Sequence, residues 1–111
     1  MVMQGLGICV DYDDTFSTNP EVWTKIIELM RGAGANVVCI TARFPDCPLP
    51  PNFPGEVHYA RGQPKAEFAK ENGLKIDIWI DDKPNGIGFQ GDMPVQYYIR
   101  KCMDHGVLRA A

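Results

Sequence analysis

Short apolar runs alternate with segments of helical periodicity along the chain. Three runs, at 6–12, 36–40 and 76–80, are apolar on successive positions, which is typical of strands covered on both faces in a parallel sheet. Between the first two runs, apolar residues recur at helical spacing, and Asn19 can cap a helix over 20–32. The pattern therefore predicts strand, helix and strand in the first part of the chain.

The middle of the chain, residues 44–64, is called the Pro-rich segment here, with prolines at 45, 48, 50, 51, 54 and 64. Proline removes a backbone donor and discourages both helix and central strand, so we expect a stiff irregular loop in which 56–60 forms a short strand. Pro64 can open a helix that ends at a glycine C-cap in 72–74. A last helix is expected near 95–104, although VQYYI would also suit a strand.

This order of elements predicts an α/β fold. Right-handed crossovers would give a Rossmann-like three-layer sandwich, with a mostly parallel central sheet between helices. The 111 residues suit a single domain spanning 1–111. In such sheets ligands bind beyond the carboxyl ends of the strands, so we expect the functional residues there.

Composition and charge exclude several classes of partner. The net charge of −3 leaves no general nucleic-acid-binding patch. No apolar run reaches the roughly 20 residues that span a bilayer, and the first residues lack the pattern of a secretory signal, so we expect a cytoplasmic protein without a membrane partner. The cysteines form no C-x-x-C pair, and Cys9 and Cys39 are expected to be buried thiols.

Acidic residues gather where the predicted strands end. Asp11 and Asp13 follow the first strand, and Asp81 and Asp82 follow the last. Four converging carboxylates would raise one another's pKa values unless a cation lay between them. Because these ligands are all oxygens, they favour Mg²⁺, and we expect a Mg²⁺ site formed by these four residues.

Acids beside Mg²⁺ indicate phosphoryl chemistry. One carboxylate can attack phosphorus to form an aspartyl-phosphate, and a second can protonate the leaving oxygen and then activate water. Thr41, at the end of the second strand, and Lys65, at the start of the next helix, can hold the remaining phosphoryl oxygens. Arg43 can either bind the substrate phosphate or pair with Asp46.

Four motifs resemble those of the haloacid dehalogenase-like superfamily, and they occur in the family's order. ICVDYDDT resembles the Asp-x-Asp-x-Thr motif, VVCIT resembles the second motif, Lys65 stands where the third-motif lysine would, and IWIDD resembles the fourth. The resemblance implies a phosphatase in which Asp11 is the nucleophile, Asp13 the general acid/base and Lys65 a catalytic cation. It also implies Mg²⁺ ligation by Asp11, by the Asp13 backbone carbonyl and by the 81/82 pair, with Asp82 preferred as the direct ligand and Asp81 ligating through water or holding Lys65.

The chain departs from many family members in having no room for a cap domain, since the gaps at 15–19 and 42–64 are short. An open site suits a bulky phosphorylated substrate, such as a nucleic-acid end or a phosphoprotein, or a small substrate enclosed by a neighbouring subunit of a homo-oligomer. Two other functions stay open: a receiver-like module that is phosphorylated on Asp, although its order of acids, Thr and Lys differs, and a non-catalytic scaffold. The fold and motifs do not name the substrate.

Overall fold

The computed structural model describes residues 2–88. Four strands and two helices follow in the order β1 Gly7–Val10, α1 Pro20–Gly32, β2 Asn36–Thr41, β3 Val57–Tyr59, α2 Lys65–Glu71 and β4 Ile78–Ile80, with 3₁₀ turns at Phe16–Thr18 and Pro84–Gly86. The helix expected near 95–104 lies outside the described residues. None of the described helices combines the length and the apolar character that crossing a membrane requires.

The four strands form one sheet in which every pairing is parallel. The spatial order is β3-β2-β1-β4, so β1 lies between β2 and β4. Ile8 of β1 is aligned with Val37 on one side and with Ile78 on the other. This confirms the predicted α/β fold with a parallel sheet. The spatial order matches the first four strands of a Rossmann-like layout, in which β2 and β3 are added on one side of β1 and β4 on the other.

The two faces of the sheet carry separate cores, as the alternation of side chains along a strand requires. Ile8 and Val10 pack with Ile27 of α1, whereas Cys9 packs with Ala69 of α2. The helices therefore cover opposite faces. All four β1 residues are buried, which explains why this strand is apolar on successive positions.

The helix boundaries follow from local chemistry. The Asn19 side chain accepts a hydrogen bond of 3.2 Å from the Val22 N–H, and α1 covers the 20–32 range that the sequence predicts. The second helix begins at Lys65, one residue later than expected, because Pro64 occupies the N-cap position. Its predicted C-terminal glycine is Gly73, with φ of 68°.

The first strand is shorter than the expected 6–12 because the chain turns directly after Val10. The Asp11 N–H still donates to the Ile80 carbonyl at 2.9 Å, but the Tyr12 carbonyl accepts from the Ser17 N–H at 2.9 Å, so the backbone has already folded back. This turn leads into the 3₁₀ turn at Phe16–Thr18. Asp11 and Asp13 therefore lie at the carboxyl end of β1 on a tight turn.

The Pro-rich segment is fixed against the rest of the fold. Leu49 and Phe53 are buried in the core on the α1 side. The Tyr12 hydroxyl donates to Asn52 Oδ1 at 2.7 Å, and the Tyr59 hydroxyl accepts from the Leu49 N–H at 3.0 Å. The predicted short strand is β3, and within residues 2–88 neither gap between the motifs contains a separately folded unit. The segment is a fixed wall beside the carboxyl ends of the strands.

Candidate active site

A cavity of about 180 Å³ lies where β1, β2 and β4 end. The cavity is lined by Asp11, Asp13, Thr41, Ala42, Arg43, Lys65, Asp81, Lys83 and Gly86. The site residues expected from the sequence are therefore brought together, with Asp82 beside them, because parallel strands bring their carboxyl ends to one edge of the sheet. A larger groove, of about 600 Å³, lies at the opposite end of the strands and includes none of these residues.

Lys65 forms the centre of the site. Its Nζ lies 2.7 Å from Asp11 Oδ1 and 2.6 Å from Asp81 Oδ2, and all three side chains are less than one-tenth exposed. Burial works against the ammonium, but the hydrogen bonds to Asp11 and Asp81 outweigh it and raise the pKa of Lys65. A lysine in the first turn of a helix is unfavourable for the helix dipole, and the two carboxylates account for its position.

Asp11 is the most buried carboxylate that follows β1. Burial raises its pKa to about 6, and although Lys65 opposes this shift, the nearby charge of Asp81 adds to it. Lys65 therefore does not offset the cost of burying this carboxylate beside Asp81. An additional cation at this place would stabilise the ionised carboxylate.

Three carboxylates form a group that could hold a metal ion. Asp11, Asp81 and Asp82 each offer an oxygen, and these oxygens lie within 4.8 Å of one another. The set contains neither nitrogen nor sulfur, which fits a hard cation such as Mg²⁺ or Ca²⁺.

The two adjacent acids differ in how far their oxygens are already engaged. Asp81 uses one oxygen for Lys65 and the other to accept from the Lys83 N–H at 2.9 Å. Asp82 is exposed, and its Oδ1 accepts a long hydrogen bond of 3.4 Å from the Thr15 hydroxyl. The geometry thus agrees with the expectation that Asp81 holds Lys65, and it leaves Asp82 the better placed to ligate a metal directly.

Thr15 connects the two ends of the acidic group. Its hydroxyl lies 3.5 Å from Asp11 Oδ2 and 3.4 Å from Asp82 Oδ1, and it can donate its single hydrogen to only one of them at a time. The residue types alone do not predict a role for Thr15. Only its place in the Asp-x-Asp-x-Thr motif indicates that it belongs to the site.

Arg43 pairs with Asp13 rather than with Asp46. Its Nε donates to Asp13 Oδ2 at 2.9 Å and its Nη2 donates to Asp13 Oδ1 at 2.7 Å. This hydrogen-bonded carboxylate raises the pKa of Arg43. The partners are 30 residues apart and follow different strands, so no spacing in the sequence indicates the pair.

Thr41 and Lys83 complete the cavity wall. Thr41 is buried, and its hydroxyl oxygen accepts from the Arg43 N–H at 3.3 Å. Lys83 was not expected from the sequence, and it lines the cavity because its N–H is bonded to Asp81. Asp14 does not line the cavity and is exposed on the turn, with φ of 61°.

No protein-family model, no curated protein and no solved structure matches this chain. The function therefore has to be argued from the residues of the site.

Proposed function

We propose that the protein is a Mg²⁺-dependent phosphomonoester hydrolase of the haloacid dehalogenase-like type. The observation that carries the proposal is the buried Lys65 ammonium between Asp11 and Asp81, with Asp82 completing a group of carboxylates at the carboxyl ends of β1 and β4. A structural ion pair would not require a third acid whose oxygens stay largely unengaged beside a cavity. An arrangement of this kind suits the binding of a cation and a phosphoryl group.

Asp11 is the proposed nucleophile. Its carboxylate oxygen attacks the phosphorus, the bond from phosphorus to the ester oxygen breaks, and an aspartyl-phosphate forms. Water then attacks the same phosphorus, the bond to Asp11 breaks, and inorganic phosphate leaves. Lys65 keeps Asp11 oriented by the 2.7 Å bond and favours its ionised form.

Asp13 is the proposed general acid/base. It gives a proton to the ester oxygen as that oxygen leaves, and it takes a proton from the attacking water in the second step. Its side chain is about half exposed and lines the cavity, which allows it to reach a leaving group that extends into solvent. Asp14 is exposed and does not line the cavity, so it takes no part in the reaction.

The remaining charge on the phosphoryl group is balanced by cations and hydrogen-bond donors. Lys65 and the hydroxyl of Thr41 line the same cavity as Asp11 and can bind phosphoryl oxygens. Asp11, Asp82 and the Asp13 backbone carbonyl would hold Mg²⁺, while Asp81 holds Lys65. The bound metal would neutralise negative charge on the phosphoryl oxygens.

The cavity accommodates a phosphoryl group but not a large leaving group. Its volume of about 180 Å³ is below the roughly 300–1,000 Å³ of pockets that enclose a drug-sized ligand. The rest of the substrate would therefore lie outside the cavity. This supports a bulky substrate, such as a nucleic-acid end or a phosphoprotein, or a small substrate that a neighbouring subunit encloses.

The test is hydrolysis of p-nitrophenyl phosphate with and without Mg²⁺. We expect phosphate release that depends on the metal, and Asp11→Asn should abolish it. Asp14→Asn is the matched control, since it makes the same change on the same turn and should retain activity. Asp13→Asn should accumulate a phosphoryl adduct on Asp11 that intact-protein mass spectrometry can detect.

Two results would count against the proposal. Full activity of Asp11→Asn would exclude Asp11 as the nucleophile. Stable phosphorylation of wild-type Asp11 without release of phosphate would indicate a binding module that is switched by phosphorylation.

A further inference from the structure

We infer that Arg43 is the positioning residue of Asp13, and that it links the general acid/base to the Pro-rich segment. The inference rests on the proposed function and adds to it the element that orients the proton donor. It gives Arg43 a role different from the phosphate contact that the sequence suggests.

The first observation is the two-pronged form of the ion pair. Nε and Nη2 of Arg43 bind different oxygens of the Asp13 carboxylate, at 2.9 and 2.7 Å. Two parallel hydrogen bonds fix the plane and the rotation of a carboxylate, whereas a single bond fixes only one distance. A carboxylate has about four acceptor positions, so these two bonds leave others for a leaving oxygen or a water, and Asp13 lines the cavity.

The second observation is that the other side of the guanidinium is also held. Nη1 donates to the Pro48 carbonyl at 3.1 Å and lies 3.4 Å from the Cys47 carbonyl. Both carbonyls belong to the Pro-rich segment, which buried Leu49 and the bond from Tyr12 to Asn52 fix in place. The guanidinium is therefore oriented from two directions before any substrate binds.

The third observation is that Arg43 could not bind a phosphate with the same atoms and keep its hydrogen bonds to Asp13. Its Nε and Nη2 form the edge of the guanidinium that best matches two phosphoryl oxygens, and both already bind Asp13. Binding phosphate with that edge would break both bonds to Asp13 and release the general acid/base. Lys65 is already placed in the cavity to supply positive charge to the phosphoryl group.

The experiment compares Arg43→Gln and Arg43→Lys with wild type on p-nitrophenyl phosphate and phenyl phosphate. The two substrates have similar shapes, but phenolate is the poorer leaving group and depends more on a proton donor. Because Asp13 also activates water in the second step, which both substrates share, the comparison uses the first-turnover rate of leaving-group release. Removing a well-placed general acid costs about 10²–10⁴-fold, so we expect Arg43→Gln to lower the first-turnover rate of phenol release from phenyl phosphate by at least about 30-fold. On p-nitrophenyl phosphate we expect the first-turnover rate to fall by no more than about 3-fold, since that leaving group needs little protonation. Arg43→Lys keeps the charge but not the two-pronged bond, so it should show the same difference between substrates in weaker form.

Two further measurements separate positioning from the other roles. Inhibition by inorganic phosphate should be unchanged in Arg43→Gln, because Arg43 does not bind the phosphoryl group. In an Asp13→Asn background, Arg43→Gln should cause no additional loss on phenyl phosphate, because the residue it positions is already disabled. Lys25→Gln, an exposed lysine of α1, controls for the loss of one positive charge.

Several outcomes would overturn the inference. An equal loss on both substrates together with weaker phosphate inhibition would make Arg43 a phosphate ligand. An equal loss together with a lower melting temperature would make its role structural. Additive effects in the Asp13→Asn background would also contradict it. A wild-type protein that hydrolyses neither substrate would overturn the proposed function and this inference with it, whereas an active wild type with substrate-independent losses would overturn this inference alone.

Discussion

Lys65 Nζ and Asp11 Oδ1 lie 2.7 Å apart although the two residues are 54 positions apart in the chain. Asp11 ends the central strand β1, and Lys65 begins the helix that leads to β4, which pairs with β1. Because both side chains are almost fully buried, their charges are poorly screened by solvent. The ionisation of Asp11 therefore affects both the stability of the fold and the chemistry of the site.

Replacing Asp11 with Asn should stabilise the metal-free protein near neutral pH. Burial raises the pKa of Asp11 to about 6 in the folded protein, against about 3.9 in unfolded chains. A carboxyl whose pKa is raised by folding contributes stability that is present below about pH 4 and lost as the pH rises through about 6. In EDTA at about pH 7.5, Asp11→Asn should raise the free energy of unfolding by on the order of 1–3 kcal/mol.

Urea unfolding at a series of pH values checks this prediction. The advantage of Asp11→Asn should shrink as the pH falls to about 4, where wild-type Asp11 is protonated as well. Asp14→Asn serves as the control, because Asp14 is exposed and its positive φ suits asparagine. A stability difference that is the same at every pH would contradict the raised pKa of Asp11.

Replacing Lys65 with Met should strongly destabilise the metal-free protein. The substitution preserves most of the length of the side chain but leaves the buried carboxylates Asp11 and Asp81 without their shared cation. Removing one partner of a buried pair costs about 3–5 kcal/mol. Lys70→Met, at an exposed position in the last turn of the same helix, should change stability by about 0.5 kcal/mol or less. Equal losses from the two variants, measured by chemical denaturation, would argue against a buried role for Lys65.

Asp81 and Asp82 should differ in their response to Mg²⁺. A ligand that binds only the folded state stabilises it by about 2.7 kcal/mol at one hundred times its Kd, so wild type should melt at a higher temperature as Mg²⁺ is added. Asp82→Asn should lose most of that increase while keeping its metal-free stability, because Asp82 is exposed and its hydrogen bond to Thr15 is long, at 3.4 Å. Asp81→Asn should instead lower metal-free stability, since it weakens the bonds to Lys65 and to the Lys83 N–H.

Thermal melts over a Mg²⁺ titration measure both effects. Asp14→Asn again provides the control and should respond as wild type does. If Mg²⁺ raised the melting temperature of Asp82→Asn as much as that of wild type, Asp82 would not be a direct ligand of the metal. Absence of any response in wild type would contradict the metal site.

Gly7→Ala should disrupt the start of the central strand. A Cβ at Gly7 would overlap the Lys75 carbonyl. The backbone there cannot easily move, because the Gly7 N–H donates to Asp77 Oδ2 at 2.8 Å and the Gly7 carbonyl accepts from the Asp77 N–H at 2.7 Å. We expect a loss of about 2–3 kcal/mol, as for overpacking at a tight site. Gly32→Ala, at the end of α1 with open space around it, should be neutral or stabilising by up to about 1 kcal/mol, and a similar loss in both variants would contradict the steric explanation.

Much of the local structure could be predicted from the sequence because it depends on neighbouring residues. The Asn19 cap sets the start of α1, and the helix covers the predicted range 20–32. The C-cap at Gly73 follows from the freedom of glycine at positive φ. The apolar runs indicated strands buried on both faces, which is right for β1 but not for β4, where Ile78 is exposed. A parallel sheet brings the acids that follow β1 and β4 to one edge.

The sequence by itself determined most of the residues that reach the site, since each follows a strand or begins a helix on the same edge of the sheet, whereas Lys83 was not expected there. Only the tertiary structure decided two of the pairings: Arg43 binds Asp13 and not Asp46, and Lys65 binds Asp11 as well as Asp81. The physical reason is that a hydrophobic pattern records burial and local conformation, whereas these pairings depend on the strand order and on the path of the Pro-rich segment. Both are set by contacts between distant parts of the chain, such as the bond from Tyr12 to Asn52, which no spacing in the sequence reveals.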